Sequence, residues 1–224
     1  MRRLVTPPAS QMDATENRLF THPRWRKVPA VPQAIAAALA TEPRQRILDS
    51  AYELFSRRGI RGVGIDEVIQ RATVAKATLY RHFPSKNELA LAFLQRREEL
   101  WTHEWVEKEA RLRGRGADGS LLAIFDVFDE WFHRDDFEGC AFVNVLLETA
   151  DLTSPIGAAS ARHLENIRGV IRKLATEAGL RDVEEFALSF HILMKGSIVQ
   201  AGEGDLHAAK RAQSIARLLI AQYR

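Results

Sequence analysis

From position 41 onward, apolar side chains recur with the period of an α-helix. Ile47, Ala51, Leu54 and Phe55 fall at i, i+4, i+7 and i+8 and mark one face of a first helix. Thr41 is placed to cap it, Pro43 suits its first turn, and Gly59 ends it. A second helix is predicted over 66–71, with Ile65, Val68 and Ile69 turned inward. A third is predicted from 74 to 80 or slightly beyond, because Pro84 disfavours helical backbone at Phe83. Ser85 and Glu88 have the spacing of a capping box, which opens a fourth helix. Leu89, Phe93, Arg96 and Leu100 keep helical intervals, and the pattern runs to about Arg113 before Gly114 and Gly116. Such a helix is about 40 Å long at 1.5 Å per residue.

The remainder also reads as helix, over 120–134, 143–150, 156–178, 184–201 and 206–223. Asp182 and Glu185 repeat the capping-box spacing. Phe186, Phe190, Met194, Ser197, Ile198 and Ala201 line one stripe of the penultimate helix. Ala208, Ala212, Ile215, Ala216, Leu219 and Tyr223 line the last. Small residues among large ones permit close helix approach, which suits either an internal core seam or a helical dimer interface. Neither strands nor internal repeats are evident. Residues 1–33 lack sustained periodicity and read as a mobile arm, with a weak helix over 33–40. The arm is either a basic contact to DNA phosphates or a dispensable leader, with Met12 as an internal start.

Composition narrows the class. Of 224 residues, 46% are apolar, enough for a sizeable core. No apolar run approaches the roughly 18 residues of a membrane span, and the start lacks the continuous apolar stretch of a secretory signal. A single cysteine, Cys140, excludes an internal disulfide framework and fits a reducing cytoplasm. The net charge of +3 is unevenly spread. Residues 44–97 hold eleven Lys/Arg against five Asp/Glu, whereas residues 98–224 hold fifteen against twenty-one. A basic module followed by an acidic body points to a polyanion at one end only.

The stretch VAKATLYRHFPSK, Val74 to Lys86, contains no acid. Three helices of this order, with a short turn at Ala72–Thr73, make a helix-turn-helix, whose last helix enters the major groove N-terminal end first. Lys76 is then placed for guanine edges or phosphate, and Thr78 to donate or accept. Tyr80, His82 and Lys86 lie where a phosphate backbone passes, Arg81 suits phosphate or base, and Leu79 and Phe83 anchor the helix. Acids on that face would repel phosphate. The plainer alternative is a solvated basic helix capping a bundle.

Residues 44–93 closely resemble the N-terminal DNA-binding domain of the TetR family of transcriptional regulators. Ala51, Leu54 and Phe55, the Gly59 stop, and Thr78–Lys86 with its T-L-Y-x-H-F-x-x-K pattern carry the resemblance. It implies an all-α homodimer: a three-helix DNA-binding domain (44–90) joined by a long helix to a helical effector-binding and dimerisation domain (91–224), after an extension (1–43). It also implies double-stranded DNA with a pseudo-palindromic operator, a small effector, and pairing through the last two helices. Phe186, Phe190, Met194, Ile198, Ala212, Ile215 and Leu219 are then the expected interface. Three features depart from the family pattern: Thr73 stands where glycine is common in the turn, Gly64 where Ser or Thr opens the second helix, and Ala75 and Ala77 where polar residues or glycine are frequent.

Aromatic residues of the body at helical spacing are core or pocket. With the resemblance, Trp101, Trp105, Phe128, Trp131, Phe132, Phe142, Val143 and Leu146 are the candidate lining of a pocket for an apolar effector. Gly139–Asn144 resembles a run seen in part of the family and is assigned to a helix entry near that pocket. Cys140 is a candidate oxidant sensor, but the acids Asp135, Asp136 and Glu138 disfavour its thiolate, and an inert buried thiol is the simpler reading. No two of His103, His133, His163, His191 and His207 stand at i, i+4, so neither a zinc site nor another cofactor is expected. A hydrolytic centre using Cys140 with His163 or His133 lacks any supporting motif, so no enzyme is expected. The sequence therefore describes a cytoplasmic, ligand-responsive regulator, most simply a repressor released by its effector. The alternatives are a DNA-binding regulator without an effector, or a thiol sensor.

Overall fold

Pro43 fixes the start of the first helix, α1 (Pro43–Arg58), because Glu42 at the cap position makes no side-chain bond to the helix. The computed structural model describes residues 42–224. The expected arm, the helix over 33–40 and the Thr41 cap lie outside the described residues. Gly59 takes a left-handed φ of 72°, and its N–H bonds to Phe55 O at 3.0 Å. Helix α2 (Ile65–Ala72) and helix α3 (Lys76–His82) follow. Helix α3 begins two residues later than the sequence suggested and runs to His82. Phe83 then turns extended (φ −134°, ψ 95°), as a residue before proline must. Ile47, Ala51, Phe55, Val68, Leu79, Phe83, Leu89 and Phe93 are buried together, so one face of each helix closes the core of this head.

The Ser85 hydroxyl accepts from the Glu88 N–H at 3.1 Å and opens α4 (Lys86–Arg97). The helix continues without a break through π-helical turns (Glu98–Glu107) into α5 (Lys108–Arg113). The body is α6 (Gly116–Phe132), α7 (Ala141–Thr149), α8 (Pro155–Glu177), α9 (Val183–Gly202) and α10 (Ala208–Gln222). Among the described residues there is no strand, and no helix is long and apolar enough to cross a membrane. The protein is all-α. Ser154 caps α8 by accepting from the Gly157 N–H at 3.1 Å. The expected capping box at Asp182 does not form: Asp182 itself is left-handed (φ 45°) and its side chain makes no capping bond.

Two acids, Glu138 just before α7 and Glu148 in its last turn, hold the body to the head. Arg97 of α4 is buried, and its Nη1 donates to Glu138 Oε1 at 2.7 Å, Tyr52 Oη at 3.2 Å and Ser56 Oγ at 3.4 Å. At the far end of α7, Glu148 Oε2 accepts the Ile60 N–H at 3.0 Å and the Arg61 N–H at 3.4 Å. These backbone groups follow Gly59, and a Cβ on Gly59 would fall on the Glu148 carboxylate. Gly59→Ala therefore combines a strained φ with loss of this contact. It is expected to cost about 1 kcal/mol or more, read as a lower urea midpoint. An unchanged midpoint would contradict the contact.

Candidate nucleic-acid interface

Helix α3 has one inward position per turn, and Leu79 occupies it without exposure. Counting 100° per residue from there, Ala77 and Arg81 point most directly outward, with Lys76 and Tyr80 on one flank and Thr78 and His82 on the other. Lys76, Ala77, Tyr80 and Arg81 are exposed, while Thr78, His82 and the first residue of α4, Lys86, are half-buried. Of the six polar residues expected to meet DNA, five thus flank or form the outer side of α3, and Lys86 stands at the start of α4. The Arg44 guanidinium sits 5.1 Å over the Phe83 ring, bracing the end of α3 against α1.

The head's charge is sorted as well as concentrated. Arg58 pairs with Glu67, Arg71 with Glu53, Arg96 with Asp49 and Arg97 with Glu138. Among the described residues, Arg44, Arg57, Arg81 and Lys86 have no carboxylate within 4.0 Å. Lys76 differs, because its Nζ lies 3.1 Å from Asp66 Oδ1 at the start of α2. The Asp66 hydrogen bond, then charge attraction from Asp66 and Tyr80, raise the Lys76 pKa, so it is cationic at neutral pH. Sequence reasoning missed Asp66: ten residues separate the partners, and only the angle between α2 and α3 brings them together.

Two sets of expected residues lie in the body. Trp101, Phe128, Trp131, Phe132 and Phe142 are buried against each other and their neighbours. The Trp101–Trp131 and Trp131–Phe137 ring centroids are 5.3 and 4.8 Å apart. Trp105, Val143 and Leu146 are half-buried against the same core. Val143 borders a cleft of about 460 Å³, together with Phe137, Glu138, Cys140, Lys195 and Ile198. A second cleft, of about 540 Å³, lies between the end of α3, α4 and α8. Likewise, Phe186, Phe190, Met194, Ile198 and Ala212 are buried within this chain and offer nothing to a partner. Leu219 is half-buried and Ile215 is exposed. The exposed large apolar residues of the last two helices are Leu188, Ile192 and Val199 on α9, and Ile215 and Leu218 on α10.

Cys140 is buried, and that burial raises its thiol pKa; the backbone N–H groups of Val143 and Phe142 and the charges of Arg97 and Lys195 act the other way. Burial, not the neighbouring acids, is what suppresses the thiolate, since Glu138 is engaged by Arg97. The rings of His133 and His207 come within 6.1 Å, yet no group of three or more metal-ligating side chains exists among the described residues.

Residues 47–93 match the family described as bacterial regulatory proteins, tetR family. A TetR-family transcriptional regulator from Streptomyces coelicolor shares the fold with a TM-score of 0.76 at 27% identity, over 85% of this chain and 94% of that one. The chain belongs to the tetR family. Two curated members are similar in sequence. The transcriptional repressor NemR of Escherichia coli K12 is 25% identical over 134 residues, 60% of this chain and 66% of NemR. The transcriptional regulator SrpR of Pseudomonas putida is 39% identical over 144 residues, 64% of this chain and 66% of SrpR.

Within this family's helix-turn-helix, the turn is the local anomaly. Thr73 occupies the left-handed region (φ 53°, ψ 52°), which a β-branched residue seldom adopts. The turn is held there because the Thr73 N–H bonds to Gln70 O at 3.2 Å and the Val74 N–H to Ile69 O at 3.3 Å. Gly64, the cap of α2, has open space where a Cβ would stand and no side chain to cap with. Thr73→Gly relieves the strained φ against glycine's greater unfolded-state freedom. A net gain of about 0.5–1 kcal/mol is expected from the thermal or urea midpoint. A lower midpoint would contradict strain at Thr73.

Proposed function

We propose that the protein is a homodimeric transcriptional regulator, most simply a repressor, that binds a pseudo-palindromic operator and is released by a small apolar effector. The observation that carries this reading is the face of α3, where Arg81 stands at the centre without a carboxylate partner among the described residues. Lys76, Thr78 and Arg81 are the base-reading candidates, and Tyr80, His82 and Lys86 the phosphate contacts. Similarity to the repressor NemR supports the direction of control. The exposed apolar stripe of Leu188, Ile192, Val199, Ile215 and Leu218 is the proposed dimer face, since a lone chain gains nothing by exposing it.

The route for an effector runs through α7. The cleft beside Phe137, Val143 and Ile198 includes Glu138, which anchors Arg97, and the opposite end of α7 carries Glu148 on the head. An apolar molecule seated there shifts both anchors together, and with them the angle of α1–α3 to the body.

Salt titration separates the roles of two residues. Lys86→Ala is expected to weaken binding to operator and random DNA alike and to reduce the slope of log affinity against log salt by about one. Arg81→Ala is expected to reduce the operator preference over random DNA roughly 5- to 150-fold. Equal loss on both DNAs in both variants would overturn the division into readers and phosphate contacts.

A further inference from the structure

Lys76 brings a counter-charge to the DNA face, and that is the one feature there that phosphate attraction does not explain. Asp66 lies in the first turn of α2, Lys76 is the first residue of α3, and both side chains are more than half exposed. The N-terminal end of a recognition helix meets the base edges first, so ammonium and carboxylate reach the groove together. A carboxylate there is repelled by the backbone on either side. Part of its presence is accounted for by the positive end of α2, but Glu67 in the same turn serves that end while also pairing with Arg58.

The pair offers a donor beside an acceptor, 3.1 Å apart. The major-groove edge of a G·C pair offers the complement: the guanine O6 acceptor beside the cytosine N4 amino donor, themselves about 2.9–3.0 Å apart as hydrogen-bonded partners are. Guanine N7 gives the ammonium a second acceptor next to O6. An A·T pair also sets an amino group beside a carbonyl, but there the ammonium would find one acceptor, O4, flanked by the thymine methyl group.

We propose that Asp66 and Lys76 act as one reading unit, taking a single G·C base pair in each half-site with the ammonium on guanine and the carboxylate on the cytosine amino group. This rests on α3 being the recognition helix. It adds Asp66, on the preceding helix, as a specificity-determining residue.

The test selects a preferred site from random-sequence DNA with the full-length wild-type protein. Binding is then measured to that site with every position substituted, for wild type, Asp66→Ala, Lys76→Ala and the double variant. Asp66 is exposed, and far-ultraviolet circular dichroism confirms that the variants are folded. The expected result is one G·C position per half-site at which wild type loses roughly 5- to 150-fold on substitution. Asp66→Ala loses that discrimination at that position alone and binds random DNA more tightly, and the two single losses are not additive. If Asp66→Ala keeps every base preference and tightens binding to all sequences equally, the acid is only a brake on phosphate attraction and the proposal is overturned. A shared position occupied by A·T overturns it as well. If wild-type protein selects no sequence at all, the recognition-helix reading itself fails, and this inference fails with it.

Discussion

A buried guanidinium sets the terms for the whole molecule. Arg97 is enclosed where an unpaired charge would be several kcal/mol unfavourable, so Tyr52, Ser56 and Glu138 must stay gathered around it. Those partners come from α1 and from the loop entering α7, while Arg97 itself is on the long helix. One side chain thus fixes three segments that the sequence separates by more than forty residues on either side. Glu148 repeats the device at the other end of α7, through backbone N–H groups just after Gly59. Head and body are therefore joined at both ends of α7.

The same economy shapes the DNA face. The head is rich in arginine, but several arginines are neutralised by acids on neighbouring helices and serve the fold. Among the described residues, Arg44, Arg46, Arg57, Arg61, Arg81 and Lys86 have no carboxylate within 4.0 Å; Arg81 lies on α3, Lys86 opens α4 and Arg44 reaches over Phe83, whereas Arg57 and Arg61 face the body near Asp136 and Thr149. A net-charge count treats both kinds of arginine alike; only the ion pairs tell them apart. The helix that carries the face is short and poorly capped, with Ala75 at its start. Its position depends on Leu79 and Phe83 being buried, and on Pro84 forcing the chain out of helix at the correct residue.

Most of the architecture was legible in the sequence, because apolar periodicity and the punctuation at Gly59, Pro84 and Ser85 are local signals. The head was legible in more detail, since the spacing from Thr78 to Lys86 is itself a signature. The faces of α9 and α10 were not. A stripe of alternating small and large residues is the same pattern whether it meets a partner or its own core, and Phe186, Phe190 and Met194 met the core. The aromatic cluster carries the same ambiguity: spacing says that Trp101 and Trp131 share a side, not whether the side is hollow. The π-helical turns between Glu98 and Glu107 leave no mark in the residue pattern. The Asp66–Lys76 pair and the Arg97 network depend on tertiary angles, which no spacing rule encodes.

In the proposed regulator, two copies of α3 read one duplex, held apart by pairing through the exposed faces of α9 and α10. Hydroxyl-radical footprinting of the full-length protein on the DNA upstream of its own coding region tests this most directly. Two protected half-sites related by a two-fold axis, centred about 34 Å apart or a small multiple of it, and persisting as salt is raised, are the expected result. Weak, uniform protection that disappears with salt would mean that the basic face attracts phosphate without reading sequence, and the account would be contradicted at its centre.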